Sequence, residues 1–172
     1  IQVPTIEYTM IGKIGYMRLI QFTPDTAPGV EKAINYFEQQ GGYDGLIIDL
    51  RNNPGGLLDS AVKTADKFID SGVIVSTKSR IASENKTFSA TKKATIVDKG
   101  TPIVVLINKG SASASEVLSG ALKDYHVAYL VGERTYGKGS VRQVWPLFEK
   151  DGTNDGIKLT VARYYSPTDC NI

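Results

Sequence analysis

The sequence predicts an α/β domain with a mixed, largely parallel sheet whose faces are covered by helices. Short apolar runs alternate along the chain with amphipathic segments of helical length, an arrangement typical of strand-helix-strand units. No internal repeat interrupts this alternation. With 172 residues, 41% of them hydrophobic and 22% charged, the chain has room for roughly one globular core. We therefore expect a single domain over residues 1–172.

The predicted strands are short and either apolar or alternating. They lie at residues 15–22, 46–50, 73–76, 103–107, 129–131, 141–147 and 157–165. Residues 80–99 are polar, and we expect a hairpin or surface loop there, with its lysines exposed to solvent. The turn-rich residues 150–156 separate the last two strands.

Three segments repeat apolar residues at three- and four-residue intervals and are predicted to be helices. The first covers residues 28–40 and ends at the pair Gly41-Gly42. The second covers residues 57–69 and follows a glycine-rich turn. The third covers residues 113–125 and follows a turn of small residues. Both turns leave buried strands, so each helix begins at a strand-turn-helix junction.

Composition excludes several functional classes. The formal net charge is +2 with acidic and basic residues interspersed, so no broad basic face for nucleic acid is expected. No apolar run approaches the roughly 20 residues that a membrane-spanning helix needs. The single cysteine, Cys170, excludes an internal disulfide and a cysteine-rich metal cluster. We expect neither a metal nor a cofactor.

The stretch GERTYGKGS at residues 132–140 is similar to a phosphate-binding loop of the form G-x-x-x-x-G-K-[ST]. However, Gly139 replaces the hydroxyl residue that would bind magnesium. Such a loop must also open a helix, whereas residues 141–145 are mostly β-branched or aromatic and predict a strand. The sequence therefore predicts no nucleotide site. A buried, uncharged lysine amine can instead act as a general base, which makes Lys138 a candidate for acid-base chemistry.

Ser113 begins the third helix in a context that has two interpretations. The sequence SASE at residues 113–116 is a capping box, and this structural role alone accounts for both Ser113 and Glu116. A serine at a strand-turn-helix junction is also a suitable nucleophile, because nearby backbone N–H groups can stabilise an oxyanion. The Ala114 N–H would be the first such donor. The glycine-rich turn that contains Gly55 and Gly56 would supply the second.

Three segments, taken together, resemble a known family. The sequences DLRNNPGG at residues 49–56, GSASASE at 110–116 and GERTYGKG at 132–139 are similar, in the same order, to the signatures of the carboxyl-terminal processing peptidases, or tail-specific proteases, of serine peptidase family S41. The resemblance extends over residues 15–167. It implies a ClpP/crotonase-like core of repeated strand-strand-helix units.

The resemblance also assigns catalytic roles. It makes Ser113 the nucleophile and Lys138 its base, with an oxyanion hole formed by Ala114 and by Gly55 or Gly56. Neither a metal nor a histidine takes part. The only histidine, His126, is expected at a junction between a helix and a strand. Glu116 is expected to be a cap partner rather than an acid catalyst.

The sequence departs from the family pattern beside the lysine. Members of the family carry a glutamine four residues after it, where this chain has Arg142, followed by Gln143. In an extended strand Lys138 and Arg142 share a face and Gln143 lies on the other, unless a bulge intervenes. Alternatively, the fixed positive charge of Arg142 replaces the glutamine by favouring a neutral lysine amine. Arg142 is equally well interpreted as a solvated strand residue.

The function implied by the resemblance is that of a serine endopeptidase that cleaves proteins near their C-termini. Such enzymes act outside the cytoplasm, in the bacterial periplasm, on the outer face of the cell membrane or in the thylakoid lumen. The implied partners are substrates with exposed C-termini and a PDZ domain of the same full-length chain, and the resemblance is compatible with a homo-oligomer. Nucleic acid and nucleotides are not among them. We expect the chain to be an excised peptidase core. The alternative is a catalytically silent binding or scaffold domain of the same fold.

One further pair is given a structural role. Asp49 follows a buried strand and Arg51 comes two residues later. We expect an ion pair between them under the sheet, with a structural rather than a chemical role.

Overall fold

A computed structural model describes residues 4–146 and 156–172. The described residues form three α-helices, namely α1 (Thr26–Gln39), α2 (Leu58–Ala65) and α3 (Ala114–Asp124). Their nine strands are β1 (Ile6–Ile11), β2 (Ile14–Leu19), β3 (Gly45–Asp49), β4 (Val73–Ser79), β5 (Lys86–Ser89), β6 (Ile103–Ile107), β7 (Tyr129–Gly132), β8 (Ser140–Pro146) and β9 (Gly156–Tyr165). The predicted α/β class is confirmed.

The strands are arranged in two sheets. The first has the order β1-β2-β3-β6-β7 and is parallel except for the β1-β2 hairpin. The second has the order β5-β4-β9-β8 and is antiparallel throughout. The mixed, largely parallel character holds for the first sheet only. The second sheet was not predicted, because strand spacing along a chain does not show which distant segments pair.

Several boundaries differ from the sequence prediction. The prediction missed β1, and the polar residues 80–99 contain the short strand β5. Helix α2 ends at Ala65 rather than at residue 69, because tight turns follow it: the N–H groups of Lys67 and Phe68 bond to carbonyls three residues back. Residues 147 and 150–155 of the predicted last strands and turn lie outside the described residues.

The main core lies between the first sheet and the helices. The largest fully buried side chains come from the first sheet, the helices, strand β4 of the second sheet and the connecting segments: Phe22, Phe37, Met17, Leu19, Ile48, Leu50, Ile74, Leu118, Leu122, Val30, Val75 and Val105. Burying an aliphatic or aromatic side chain of this size contributes about 1.5–3 kcal/mol to stability. This packing fixes β3 and β6 side by side, and both strands lead into the turns described below.

The second sheet presents apolar side chains to solvent at its β8 edge. Trp145, Val144, Ile157 and Leu159 lie in β8 and β9 and are at least 40% exposed. None of the helices that the structure describes has both the length and the apolar character needed to cross a membrane.

Candidate active site

Two turns meet at the carboxyl ends of the neighbouring parallel strands β3 and β6. The Asn52 N–H donates to Asn108 Oδ1 at 2.9 Å, and Asn108 Nδ2 donates to Asn52 Oδ1 at 3.1 Å. The buried Ser111 hydroxyl donates to the Leu50 carbonyl at 2.7 Å. Because parallel strands end at the same edge of a sheet, these bonds hold the glycine-rich turn against the turn that precedes α3.

Asn53 links four segments at the base of these turns. Its side chain is fully buried; Nδ2 donates to the Leu19 carbonyl at 2.7 Å, and Oδ1 accepts the Gly55 N–H at 2.9 Å. The Asn53 carbonyl accepts the Ala112 N–H at 3.1 Å and the Ser115 hydroxyl at 2.9 Å. The side-chain amide and the carbonyl of Asn53 are therefore all hydrogen-bonded, which closely specifies the position of this buried residue.

Ser113 has an unusual backbone conformation. Its φ is 55° and its ψ is −114°, in a region that residues other than glycine seldom occupy. Such a conformation costs roughly 1–3 kcal/mol and persists only where the surroundings enforce it. Ser113 is the N-cap of α3, and the capping box that it was predicted to form with Glu116 is present.

Glu116 joins the Ser113 turn to residues 133–139, the loop between β7 and β8 that contains Lys138 and that we call the lysine loop. Its Oε2 accepts the Ser113 N–H at 2.8 Å and the Lys138 N–H at 2.9 Å, and its Oε1 accepts the Gly137 N–H at 2.6 Å. Its side chain is buried, with 5% exposed. Two hydrogen bonds to one oxygen place the backbone nitrogens of Ser113 and Lys138 within two hydrogen-bond lengths of each other. The expected cap partner is confirmed, and it has a second role that the local pattern did not show.

The lysine loop connects the two sheets. It begins after β7, where the Glu133 N–H donates to the Ile107 carbonyl at 3.1 Å, and continues with the Tyr136 N–H donating to the Ser111 carbonyl at 3.0 Å. Strand β8 follows it directly. The prediction of a strand rather than a helix here is confirmed, so the loop lacks the helix N-terminus that a phosphate-binding loop requires. Lys138 is partly buried.

Three backbone N–H groups were predicted as candidate oxyanion donors. The Gly55 N–H is already bonded to Asn53 Oδ1. The Gly55 carbonyl accepts from the Phe22 N–H, and a trans peptide then directs the Gly56 N–H away from Phe22. Among the described residues, the N–H groups of Gly56 and Ala114 have no hydrogen-bond partner.

Gly55 lies directly against the serine turn. Its φ is +103°, and a Cβ at this position would fall 2.8 Å from the Ala112 carbonyl oxygen, 2.9 Å from Ser113 Cβ and 3.0 Å from the Ala114 nitrogen. These separations are too short for a side chain. The absence of a side chain at residue 55 is thus what lets the two turns approach each other.

The expected ion pair between Asp49 and Arg51 is confirmed. Arg51 donates to Asp49 through Nε at 3.0 Å and Nη2 at 2.7 Å, and the Tyr16 hydroxyl donates to the same carboxylate at 2.7 Å. Burial raises the pKa of the Asp49 carboxyl, but the hydrogen bonds and charge of Arg51 and the hydrogen bond from Tyr16 bring this pKa below its ordinary value of 3.8. Burial and the nearby Asp49 raise the pKa of Tyr16.

Arg142 and Gln143 both lie in β8 and are exposed. The β8-β9 pairing is irregular at this point: Val141 lies opposite Ala162, whereas Arg142 lies opposite Thr160. The extra residue, Val161, therefore belongs to β9, and side chains along β8 continue to alternate. Arg142 and Gln143 consequently point to opposite faces of the strand. His126 is exposed and lies between α3 and β7, at the expected junction.

Sequence reasoning missed Asn53 and Asn108 as parts of the site. Both side chains act through residues more than 30 positions away. The available signal was an asparagine in the turn that follows each strand, where such residues often form local hydrogen bonds. In the described ranges, no group of three or more His, Cys, Asp or Glu side chains is arranged to hold a metal ion.

Comparison with known proteins adds a family and a fold. Residues 13–172 match Peptidase family S41. The carboxy-terminal-processing protease of Bartonella bacilliformis is 43% identical over 175 residues, which is 100% of this chain and 39% of that protein. The chloroplastic C-terminal processing peptidase of Tetradesmus obliquus is 40% identical over 162 residues, which is 93% of this chain and 33% of that protein.

A solved structure agrees with these sequence matches. The photosystem II D1 C-terminal processing protease superposes with a TM-score of 0.83 at 34% identity, over 99% of this chain and 46% of that chain. The chain therefore spans less than half the length of each relative described here.

Proposed function

The chain belongs to Peptidase family S41, and on that premise we propose that it is the catalytic core of a serine peptidase that uses Ser113 as nucleophile and Lys138 as general base. One observation carries the proposal: the Glu116 carboxylate binds the backbones of both residues. A nucleophile and its base must be held within hydrogen-bond reach of each other in the reacting complex. A shared carboxylate, bonded to both main chains, supplies that constraint.

The proposed reaction proceeds in two steps. Lys138 Nζ takes the proton of the Ser113 hydroxyl as Oγ attacks the peptide carbonyl, and the resulting tetrahedral intermediate expels the amine, which takes the proton from Lys138. The product of this step is an ester between Ser113 and the substrate. In the second step, Lys138 removes a proton from water, which hydrolyses the ester and restores the Ser113 hydroxyl. Neither step of this proposed reaction requires a metal or a histidine.

The N–H groups of Ala114 and Gly56 are the proposed oxyanion hole. Support comes from their lack of a partner among the described residues and from the neighbouring Gly55 N–H, which is occupied by Asn53. Loss of one oxyanion donor typically lowers the rate about 100- to 1,000-fold. The strained backbone of Ser113 supports the same interpretation, because strain of this kind is concentrated at functional sites.

We extend the proposal to the complete protein. Its substrates are proteins cleaved near their C-termini, as the names of the relatives suggest. A PDZ domain elsewhere in the full-length chain would capture the substrate carboxylate by adding it as a strand. The site of action would be outside the cytoplasm or, in a plastid, in the thylakoid lumen. Fractionation of the source cells with an antibody to this chain tests the location.

A serine-reactive phosphonate probe tests the proposed chemistry. We expect the folded wild-type chain to be labelled at Ser113, and expect Ser113→Ala and Lys138→Ala to lose labelling while keeping their circular dichroism spectra. Ser89→Ala, which changes an exposed serine of β5, is the matched control and should be labelled normally. Absence of labelling in the folded wild type would favour the silent scaffold domain instead.

A further inference from the structure

Residues 166–172 fold back over the lysine loop. The Ser166 N–H donates to the Cys170 carbonyl at 2.8 Å, and Tyr165 forms an antiparallel bridge with Asn171. The Ile172 N–H then donates to the Tyr164 carbonyl at 3.2 Å. These bonds close a compact turn, which we call the return segment, and bring its end beside the last strand.

The return segment is anchored on the last residue of α3. The Thr168 hydroxyl donates to Asp124 Oδ2 at 2.8 Å, and the Thr168 N–H approaches the same oxygen at 3.4 Å. The side chain of Asp124 is largely buried, with 8% exposed. Burial raises the pKa of this carboxyl, but the hydrogen bonds from Ser166 and Thr168 leave it below its ordinary value of 3.8. The carboxylate is therefore the ionised acceptor of this contact at neutral pH.

A second anchor lies on β4. Lys78 Nζ is 2.5 Å from Asp169 Oδ1 and lies 4.4 Å from the centre of the Tyr165 ring. This pair is exposed, so it contributes little on its own. Together with Thr168, however, it fixes the segment on two sides.

The far end of the return segment lies against Gly139, the residue that follows Lys138. A Cβ at Gly139 would fall 2.6 Å from Asn171 Oδ1 and 2.9 Å from the Ile172 carbonyl carbon. On its other side, the Gly139 carbonyl accepts the Tyr164 N–H at 2.8 Å. Gly139 thus lies between β9 and the return segment, with no room for a side chain on the side of the return segment.

We propose that Thr168 is a positioning residue for Lys138, acting through the return segment and Gly139. The inference rests on the proposed function of Ser113 and Lys138. Helix α3 has Ser113 at its first end, where Glu116 binds the lysine loop, and Asp124 at its other end, where Thr168 of the return segment is bound. Glu116 holds the loop directly, and Asp124 holds it through Thr168 and Ile172. A misplacement of about 1 Å in a reacting group can lower a rate about 100-fold, so a support of this kind has a measurable effect.

Labelling kinetics with the phosphonate probe test the proposal. We expect Thr168→Val to lower the maximal labelling rate at Ser113 about tenfold while the probe concentration at half-maximal rate stays within about twofold. Thr168→Ser keeps the hydroxyl and should restore the rate. Thr91→Val is the matched control, because the Thr91 hydroxyl donates to Asp66 at 2.9 Å in a Thr–Asp hydrogen bond that involves neither the return segment nor the lysine loop. All variants are compared where circular dichroism shows each to be fully folded.

The outcomes separate this inference from the function on which it rests. A wild type that is labelled together with a Thr168→Val variant labelled at the same rate overturns the inference and leaves the peptidase function intact. Equal losses in Thr168→Val and Thr168→Ser also overturn it, since the hydroxyl would then have no part in the effect. A folded wild type that is not labelled at all overturns both. Gly139→Ala gives a second test, with a reduced maximal rate expected.

Discussion

The side chain of Glu116 holds the backbone of Lys138, with the Lys138 N–H at 2.9 Å from Oε2 and the Gly137 N–H at 2.6 Å from Oε1. The same Oε2 accepts the N–H of Ser113. A carboxylate can accept several N–H groups at once, which no neutral side chain of this size does as well. The helix that begins at the serine therefore also determines where the lysine loop lies.

Replacement of this carboxylate is expected to reduce both activity and stability. In Glu116→Gln a single amide oxygen replaces the two carboxylate oxygens. The amide N–H₂ then faces at least one of the three backbone N–H groups and leaves it without an acceptor, at a cost of about 1–3 kcal/mol. We expect probe labelling of Ser113 to fall at least about tenfold. Asp59→Asn, in the first turn of α2, is the control, because Asp59 is an exposed acid that forms an ion pair with Lys63 four residues on. Equal labelling of the two variants would contradict this role.

Gly55→Ala is expected to disable the site with little general damage elsewhere. The new methyl group would collide with the Ala112 carbonyl and with Ser113, and would displace the oxyanion donors. We expect labelling to fall about 100-fold or more. Gly100→Ala separates this effect from backbone strain, since Gly100 has a similar φ of +90° and nothing within 4 Å of its Cβ position. A comparable loss of labelling in Gly100→Ala would show that strain alone is responsible.

Ser113→Gly is expected to stabilise the protein while abolishing labelling. Glycine adopts a φ of 55° without the steric cost that serine bears, and it is tolerated at an N-cap. We expect the free energy of unfolding to rise by about 1 kcal/mol relative to Ser113→Ala, measured by chemical denaturation. If the two variants were equally stable, the strain assigned to Ser113 would be absent.

The Asp49 carboxylate is expected to make stability depend on acid pH. Its folded-state pKa lies below 3.8, so it stabilises the fold at neutral pH, and this contribution disappears as the pH falls below 3.8 through the folded-state value. Asp49→Asn cannot titrate, so its unfolding free energy should change less over this acid range than that of the wild type. Urea denaturation at a series of pH values measures the difference. Asp44→Asn, which alters an exposed carboxylate, should retain the wild-type slope.

Separate substitutions of Arg142 and Gln143 show which of them, if either, takes the place of the glutamine that the family carries after the lysine. The two side chains point to opposite faces of β8, so we expect one of Arg142→Ala and Gln143→Ala to lower peptide hydrolysis several-fold and the other to leave it unchanged. Loss of activity only in Arg142→Ala would mean that its charge replaces the family glutamine. If both variants keep full activity, neither residue serves the site.

Local sequence patterns were sufficient for the strands β2, β3, β6 and β7 of the first sheet, whereas the pair Ser113 and Lys138 came from the family resemblance and stays a prediction. Strand β6 lies at the predicted residues, because a run of five apolar β-branched or leucine residues has few alternatives in a core. The capping box located the start of α3 to within one residue. In each case the determining interaction lies within a few positions along the chain.

Contacts between distant residues were beyond such patterns. The second role of Glu116 depends on N–H groups 21 and 22 positions away. The β9 bulge at Val161 arises from its pairing with β8, so neither strand alone reveals it. The backbone strain at Ser113 is likewise imposed by surrounding packing rather than by the preference of serine.

The position of Trp145 has a practical consequence. It is the only tryptophan of the chain, it lies on the edge strand β8, and 40% of it is exposed. Fluorescence emission will therefore report the surroundings of the second sheet, whereas the far-ultraviolet dichroism of the chain is dominated by helices packed on the first. Melting curves recorded with both signals will reveal whether the two sheets unfold as one cooperative unit or in sequence.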